Sequence, residues 1–402
     1  MPPLARRDVR SLVRKLGADA RPSQQRQALV AIAGLSDCDQ DGYSLVAITA
    51  AGAIPLLVQL LRAGSSADLQ LHAATSLANL AQIADNQVAI AAAGAIPPLV
   101  LMLGAGSSAE MLEAAAAALG NLAINAENAA IIAAAGAIPR LVPLLRPGCA
   151  ATMQEHAVRS LCNLSLTADN QVIITAAGSI PHLVQLLGPG SVADVQKYAV
   201  GALCSLAPSA DNAVTIAAAG AIPHLVQLLG PGSSIEVREI AIRALLRLAG
   251  NVDNQAIIAA AGAIPPLVLL LESASPTQVQ SAAGTLGRLA LNADNQVTIA
   301  AAGAIPQLTQ LLGPGSSSLA QENAAGALIG LVCNADNQTT IAAAGAIPPL
   351  VQLTGPGSTR LVQQIARATL HMIAGNSPDN RRAIAAAGAS SLLQQIDAFG
   401  LS

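Results

Sequence analysis

The side chains best suited to chemistry here are cationic. Arg159, Arg243, Arg247, Arg288 and Arg367 recur along the chain, and of its 20 cationic residues only Lys15 and Lys197 are lysine. A guanidinium grips a carboxylate or phosphate through two parallel hydrogen bonds, so arginines spaced along one surface would hold an acidic or phosphorylated partner. Two other groups invite a metal and fall short of one. His182 and His224 stand in matching phrases with no further ligand beside them, and they read as surface or rim histidines. The repeated Asp-Asn pairs, from Asp85-Asn86 to Asp379-Asn380, resemble calcium ligands, but no third or fourth carboxylate completes a shell and helix capping explains them better. His72 and His156 could tune binding with pH. No Walker or dinucleotide fingerprint accompanies the many glycines, and nothing stands outside the regular pattern as a catalytic group would. The expectation is therefore no catalysis, no metal, no cofactor and no small-molecule substrate.

The elements that carry these residues announce themselves by repetition. A glycine stands in the phrase A-G-A-I-P, or a close variant, at Gly52, Gly94, Gly136, Gly178, Gly220, Gly262, Gly303, Gly345 and Gly388. The spacing is near constant, with one step a single residue shorter than the rest and one a single residue longer. Self-similarity at a fixed period means supersecondary units that bury their apolar faces only against one another, which is a solenoid. Hydrophobic residues are 53% and aromatics 1%, the latter being Tyr43, Tyr198 and Phe399, so the core must consist of Ala, Leu, Ile and Val.

The five cysteines, Cys38, Cys149, Cys162, Cys204 and Cys333, form no CxxC pair and are odd in number, which points to a reducing intracellular setting, cytoplasm or nucleus. Cys162 and Cys204 occupy equivalent positions on neighbouring units, about 8–10 Å apart if their helices pack, too far for a disulfide and suited to small core fillers. A net charge of −3 provides no basic field, so nothing supports nucleic acid as a partner. The window from Val88 to Gly106 is apolar enough to suggest a membrane span, but Gly94, Pro97 and Pro98 interrupt it and its equivalents recur in every unit. Two short helices are the expectation, with no transmembrane segment. The N-terminus lacks an apolar signal segment, and Pro2 stands where myristoylation needs glycine.

Residues 211–250 show one unit in full. Asp211 or Asn212 would cap a short apolar helix stopped at Gly220, Pro223 would open a second over His224 to Leu229, and Gly230-Pro231-Gly232 would end it. Ser233 and Glu236 would form a capping box for a third, longer helix reaching Leu248. On that helix Val237, Ala241, Ala244, Leu245 and Leu248 share one side and must be core, while Glu236, Glu239, Arg243 and Arg247 share the other. The polar side can vary without disturbing the stack, so it is the candidate binding face.

Three helices in each short unit, with the phrases ADNQ, AAGAIPPLVQLL and AAGALGNLA, resemble the armadillo repeat family over nearly the whole chain. The resemblance implies an all-α fold, a right-handed superhelical solenoid of three-helix repeats. Residues 1–38 would form a partial leading repeat or cap, 39–375 eight repeats, and 376–402 a trailing cap. Val9, Leu12, Val13 and Leu16 would be the apolar side of the leading helix, with Arg6, Arg7, Arg10, Arg14 and Lys15 in water.

In that family, third helices line a concave groove for an extended peptide, and an asparagine there bonds the peptide backbone. The equivalent positions here are Asn79, Asn121, Asn163, Ser205, Arg247, Arg288, Gly330 and His371; the positions four earlier include Arg159, Arg243 and Arg367. Importin-like members frame side-chain pockets with tryptophan, which this chain lacks altogether. The implied function is a non-catalytic scaffold for protein or peptide partners, extended and partly acidic. The phrasing is also similar to the substrate-binding arrays of plant and algal U-box ubiquitin ligases, so a ligase adaptor is an alternative. A vacuolar-type membrane adaptor, like a nuclear transport role, lacks its expected signals.

Overall fold

The computed structural model describes residues 6–37, 43–62, 64–375 and 377–398. The expectations that rest on Pro2, Cys38, Asp39, Asn376 and Phe399 lie outside them. Among the described residues there are helices and no strand. The chain divides into two units, Met1–Leu206 and Ala207–Ser402, and the same helix triplet builds each.

In the second unit the triplet of residues 211–250 consists of Ala210–Ala218, Ala221–Gln227 and Ile235–Leu248. Gly220 joins the first two with φ 83°, a left-handed conformation that a side chain resists. The equivalent glycines, Gly52 to Gly388, all have φ between 73° and 95°, so the phrase A-G-A-I-P is a helix-turning device. It also breaks the apolar window near residue 94. Ala84–Ala92 and Ile96–Met102 meet at 87°, and no single helix among the described residues is long and apolar enough to cross a membrane. The second helix starts at Ala221, two residues before Pro223, which therefore sits within its first turn.

Aliphatic ladders form the core. One isoleucine of each first helix, from Ile48, Ile90 and Ile132 to Ile341 and Ile384, is fully buried. In the first unit the third helices Ala67–Leu80, Ala109–Leu122, Ala151–Leu164 and Ala193–Leu206 pack one against the next, and Pro22–Asp37 packs on the first of them. In the second unit Ile235–Leu248, Pro276–Leu289, Ser318–Leu331 and Arg360–Ala374 do the same. Small residues let these helices approach closely. A Cβ on Gly120 would stand 2.7 Å from Ser160 Oγ, and one on Gly330 would stand 2.8 Å from Ala290 Cβ. Val9 and Val13 are buried in the leading helix, Arg6–Arg14, with Leu12 half-buried beside them and Leu16 buried just past its end, while Arg10, Arg14 and Lys15 are exposed.

The asparagine of the ADNQ phrase has a role that its sequence context does not reveal. It is not a cap. Asn128 donates its side-chain amide to the Gln87 carbonyl at 3.0 Å, Asn295 to Gln255 at 3.2 Å and Asn337 to Gln296 at 3.2 Å, each time one repeat back. Asn254 reaches both the Ala213 carbonyl of the preceding first helix, at 3.3 Å, and the Leu248 carbonyl ending the third helix before it, at 3.2 Å. The following glutamine bonds the next buried carbonyl, as Gln255 does at Ala249 and Gln296 at Ala290. Where a capping side chain is present it comes three residues earlier. Asn125, Asn251, Asn292 and Asn334 accept from the amides of Asn128, Asn254, Asn295 and Asn337. The cap of Ile235–Leu248 is Ser234, which accepts from the Val237 amide at 3.2 Å, and not Ser233.

Asn254→Ala should remove both bridging hydrogen bonds and lower unfolding stability by about 1–3 kcal/mol in all, at about 0.5–1.5 kcal/mol for each bond. Asp253→Ala, on the exposed neighbour, should cost well under that. Urea midpoints of the two variants against the parent provide the test, and equal midpoints would count against the bridging role.

Candidate functional site

The candidate binding face is defined by register along the third helix. Counting Ala67, Ala109, Ala151, Ala193, Ile235, Pro276, Ser318 and Arg360 as the first residue of each helix, the ninth residues are Thr75, Ala117, Arg159, Gly201, Arg243, Gly284, Gly326 and Ala368. The thirteenth are Asn79, Asn121, Asn163, Ser205, Arg247, Arg288, Gly330 and Met372. One turn separates the two rows, so they share a face.

This register moves two residues off the site. Arg367 and His371 fall one position short of the rows, because the last third helix begins one residue farther from the first helix that follows it, Pro378–Ala386, than its predecessors do. Arg367 is the eighth residue of its helix, a position fully buried as Ala74, Ala116, Val158, Val200, Ile242, Ala283 and Ala325 in the earlier helices. There it is exposed, in a crevice beside Val351, Thr354 and Leu392. No further third helix among the described residues covers that side, and a guanidinium can be solvated where an alanine or valine would stand bare.

In the first unit the face holds a cavity of about 430 Å³ in which Asn79, Asn121, Glu110, Glu113, His156 and Arg159 meet. Asn121 is buried and donates to the Ala78 carbonyl of the preceding third helix at 2.8 Å; Asn163 does the same to Gly120 at 2.8 Å. Each amide keeps its oxygen and a second N–H for another partner. Arg159 donates from Nη2 to His156 Nδ1 at 3.2 Å, and its Nε is buried with no acceptor among the described residues. Because arginine can only donate, Nδ1 of His156 accepts and the ring proton sits on Nε2, which faces Glu113 at 3.8 Å. Burial and then the Arg159 charge hold the His156 pKa below its ordinary value, against the opposing pull of Glu113 and Glu155.

Sequence reasoning misses Glu110 and Glu113. They occupy the second and fifth residues of Ala109–Leu122, and only the packing of adjacent helices brings them to Asn79 and His156. The Glu110 carboxyl is held below its usual range by its own backbone amide and by the Ser108 hydroxyl.

In the second unit Arg247 and Arg288 line a cavity of about 590 Å³ together with Pro208, Asn251 and Asp253. The Arg288 guanidinium lies over Gly250, where a Cβ would come within 2.8 Å of Nη1. Arg243 is exposed one turn before Arg247. Nearby, Glu239 is engaged by the Ser275 hydroxyl at 2.6 Å. Ser205, at the thirteenth position in the first unit, is half-buried. Five of the expected site residues therefore gather in two places, Asn79, Asn121 and Arg159 in the first unit and Arg247 with Arg288 in the second.

Among the described residues no group of three or more His, Cys, Asp or Glu side chains is placed to hold an ion. Cys204 is buried, and burial, with Cys204 adjacent, pushes the Cys162 thiol up to about 11, so both behave as core fillers.

The model of the armadillo/beta-catenin-like repeat matches residues 46–82, 84–124, 167–207, 209–250 and 251–291. A crystal structure described as an engineered protein, a target of the Northeast Structural Genomics Consortium, superposes with a TM-score of 0.83 at 31% identity, covering 96% of this chain and 94% of that one. No curated protein sequence matches.

His156 should titrate below its ordinary value in the folded chain and be neutral at pH 7. Its neutral form then contributes stability that is present above the unfolded value and lost as pH falls through the folded one. A histidine-resolved NMR titration should place it below the same histidine in the urea-unfolded chain, and Arg159→Ala should move it upward. An unchanged value in that variant would show that the guanidinium does not act on the ring.

Proposed function

The chain belongs to the armadillo repeat family, whose solenoids are generally protein-interaction scaffolds, and from this premise we propose that it binds extended, partly acidic peptide segments along its third-helix face. The observation that carries the proposal is the row of side chains at the ninth and thirteenth positions. In the first unit these include three amides and one arginine with an unmet buried N–H; in the second they include three arginines, two of them at an open cavity, among small and apolar residues. An extended peptide presents a backbone N–H and C=O on each residue, which the amide of Asn79, Asn121 or Asn163 can meet from both ends. Aspartate, glutamate or phosphoserine side chains would then find Arg159 in the first unit, or Arg243, Arg247 and Arg288 in the second, in the bidentate geometry that guanidinium favours.

Glu110 and Glu113 sharpen this reading. They line the first-unit cavity beside Arg159, so that stretch suits a peptide with a neutral or basic residue next to its acidic one. The second-unit cavity, with two arginines to one aspartate, suits acidic residues. The setting proposed is the interior of the cell, consistent with five cysteines that leave one over. Recruitment of substrates to a separate ubiquitin ligase is one use such a scaffold would serve.

Replacing Arg243 and Arg247 together with glutamate should reduce binding of a short glutamate- and phosphoserine-rich peptide at least tenfold, by fluorescence anisotropy at low salt. A neutral peptide of the same length should change little, and the acidic peptide's affinity should fall as ionic strength rises. Equal binding of the acidic peptide by parent and variant would defeat the assignment.

A further inference from the structure

A second surface lies on the first helices, apart from the third-helix face. In the first unit these are Tyr43–Ala50, Ala84–Ala92, Ala126–Ala134 and Ala168–Ala176. The asparagine bridges hold the last three in register, Asn128 to the Gln87 carbonyl at 3.0 Å and Asn170 to the Ala129 carbonyl at 3.4 Å. In register, equivalent residues fall in line. Two residues before each buried isoleucine stands an exposed valine in three of the four helices, Val46 at 57%, Val88 at 52% and Val172 at 70%. In the remaining helix that position is Ala130, and its neighbour Ile131, 48% exposed, carries the apolar surface there, next to the line of Ile173. Three or four residues before Val88, Ile131 and Val172 stand Asp85, Glu127 and Asp169, all exposed. None of the four helices carries a lysine or arginine. A row of exposed aliphatic side chains is the kind of patch that marks an interaction surface.

Charge and spacing select the occupant. An acidic row one turn from an apolar row is complemented by a partner whose apolar side is flanked by lysine or arginine. A second copy applying the same face would set carboxylates against carboxylates. An anionic lipid surface would be repelled by the same row. Packed helices lie about 8–10 Å apart, and one heptad of α-helix advances about 10.5 Å. A helix crossing the first helices with an apolar residue at each seventh position would therefore meet one aliphatic side chain per repeat, with its basic residues beside the acids. We propose that this first-helix face of residues 84–176 is a docking surface for a basic amphipathic helix, independent of the third-helix face.

The test uses the full chain and a synthetic helix of three leucine-lysine heptads, with its leucine-glutamate counterpart as the charge control. The lysine helix should bind, measured by anisotropy, and should protect amides of 84–92, 126–134 and 168–176 in hydrogen exchange. The variant Val88→Ser/Ile131→Ser/Val172→Ser, whose changes are all at exposed sites and whose folding circular dichroism would verify, should weaken binding at least tenfold. Arg243→Ala/Arg247→Ala should leave it unchanged. Equal binding of the glutamate helix, protection located elsewhere, or undiminished affinity in the serine variant would overturn the proposal. So would capture of anionic vesicles by the parent chain but not the serine variant, or a dimer that this variant abolishes, since lipid or a second copy would then occupy the face.

Discussion

The buried asparagine amide that bridges one repeat to the one before it is the constraint on which the structure depends. Each first helix follows a third helix whose last carbonyls have lost their intrahelical partners. Buried carbonyls of this kind are costly unless bonded. Asn254, Asn295 and Asn337 each meet one such carbonyl and at the same time reach the first helix of the preceding repeat. Because one side chain bonds two backbone groups of the repeat before its own, one on the first helix and one at the end of the third, sliding one repeat against the next would break both bonds at once. Register is thereby locked, and with it the alignment of equivalent side chains on the surface.

The composition of the core follows from the same close stacking. Third helices that nearly touch at Gly120 and Gly330 have no room for rings there, and the chain of 402 residues has only two tyrosines, one phenylalanine and no tryptophan. Aliphatic ladders such as Ile48 to Ile384 supply the burial instead, many modest side chains in place of a few large ones. The proposed binding positions, the ninth and thirteenth residues of the third helices, are those where asparagine gives way to arginine along the sequence, although one of them, Gly330, is taken up by the stack. Asn121 and Asn163 show that even these are partly committed, since one N–H of each amide already ties adjacent third helices together.

Much of this is legible from residue types. The repeat period, the glycine that turns the first helix into the second and the division of Ile235–Leu248 into a buried and a polar side all read directly, because helical periodicity and left-handed glycine are local properties. Misreadings arise where a residue has two plausible local uses. Asn212 and its equivalents look like caps since asparagine at a helix start usually is one, and Ser233 competes with Ser234 for the next cap. Arg367 and His371 fall out of place when the asparagine row of earlier repeats is extended by spacing alone. The start of the last third helix, Arg360, sets a register one residue different.

By itself the sequence determined the repeat, the helix count within each repeat, the aliphatic nature of the core and the polarity of the third-helix surface, all of which depend on near neighbours in the chain. Tertiary structure alone decided which polar groups meet. Glu113 comes to His156, and Arg159 to the cavity that Asn79 lines, only because helices of successive repeats are stacked side by side. The physical reason is that contacts between repeats depend on helix register and approach distance, which buried amides and missing side chains set, and neither is visible in the order of residues along one helix.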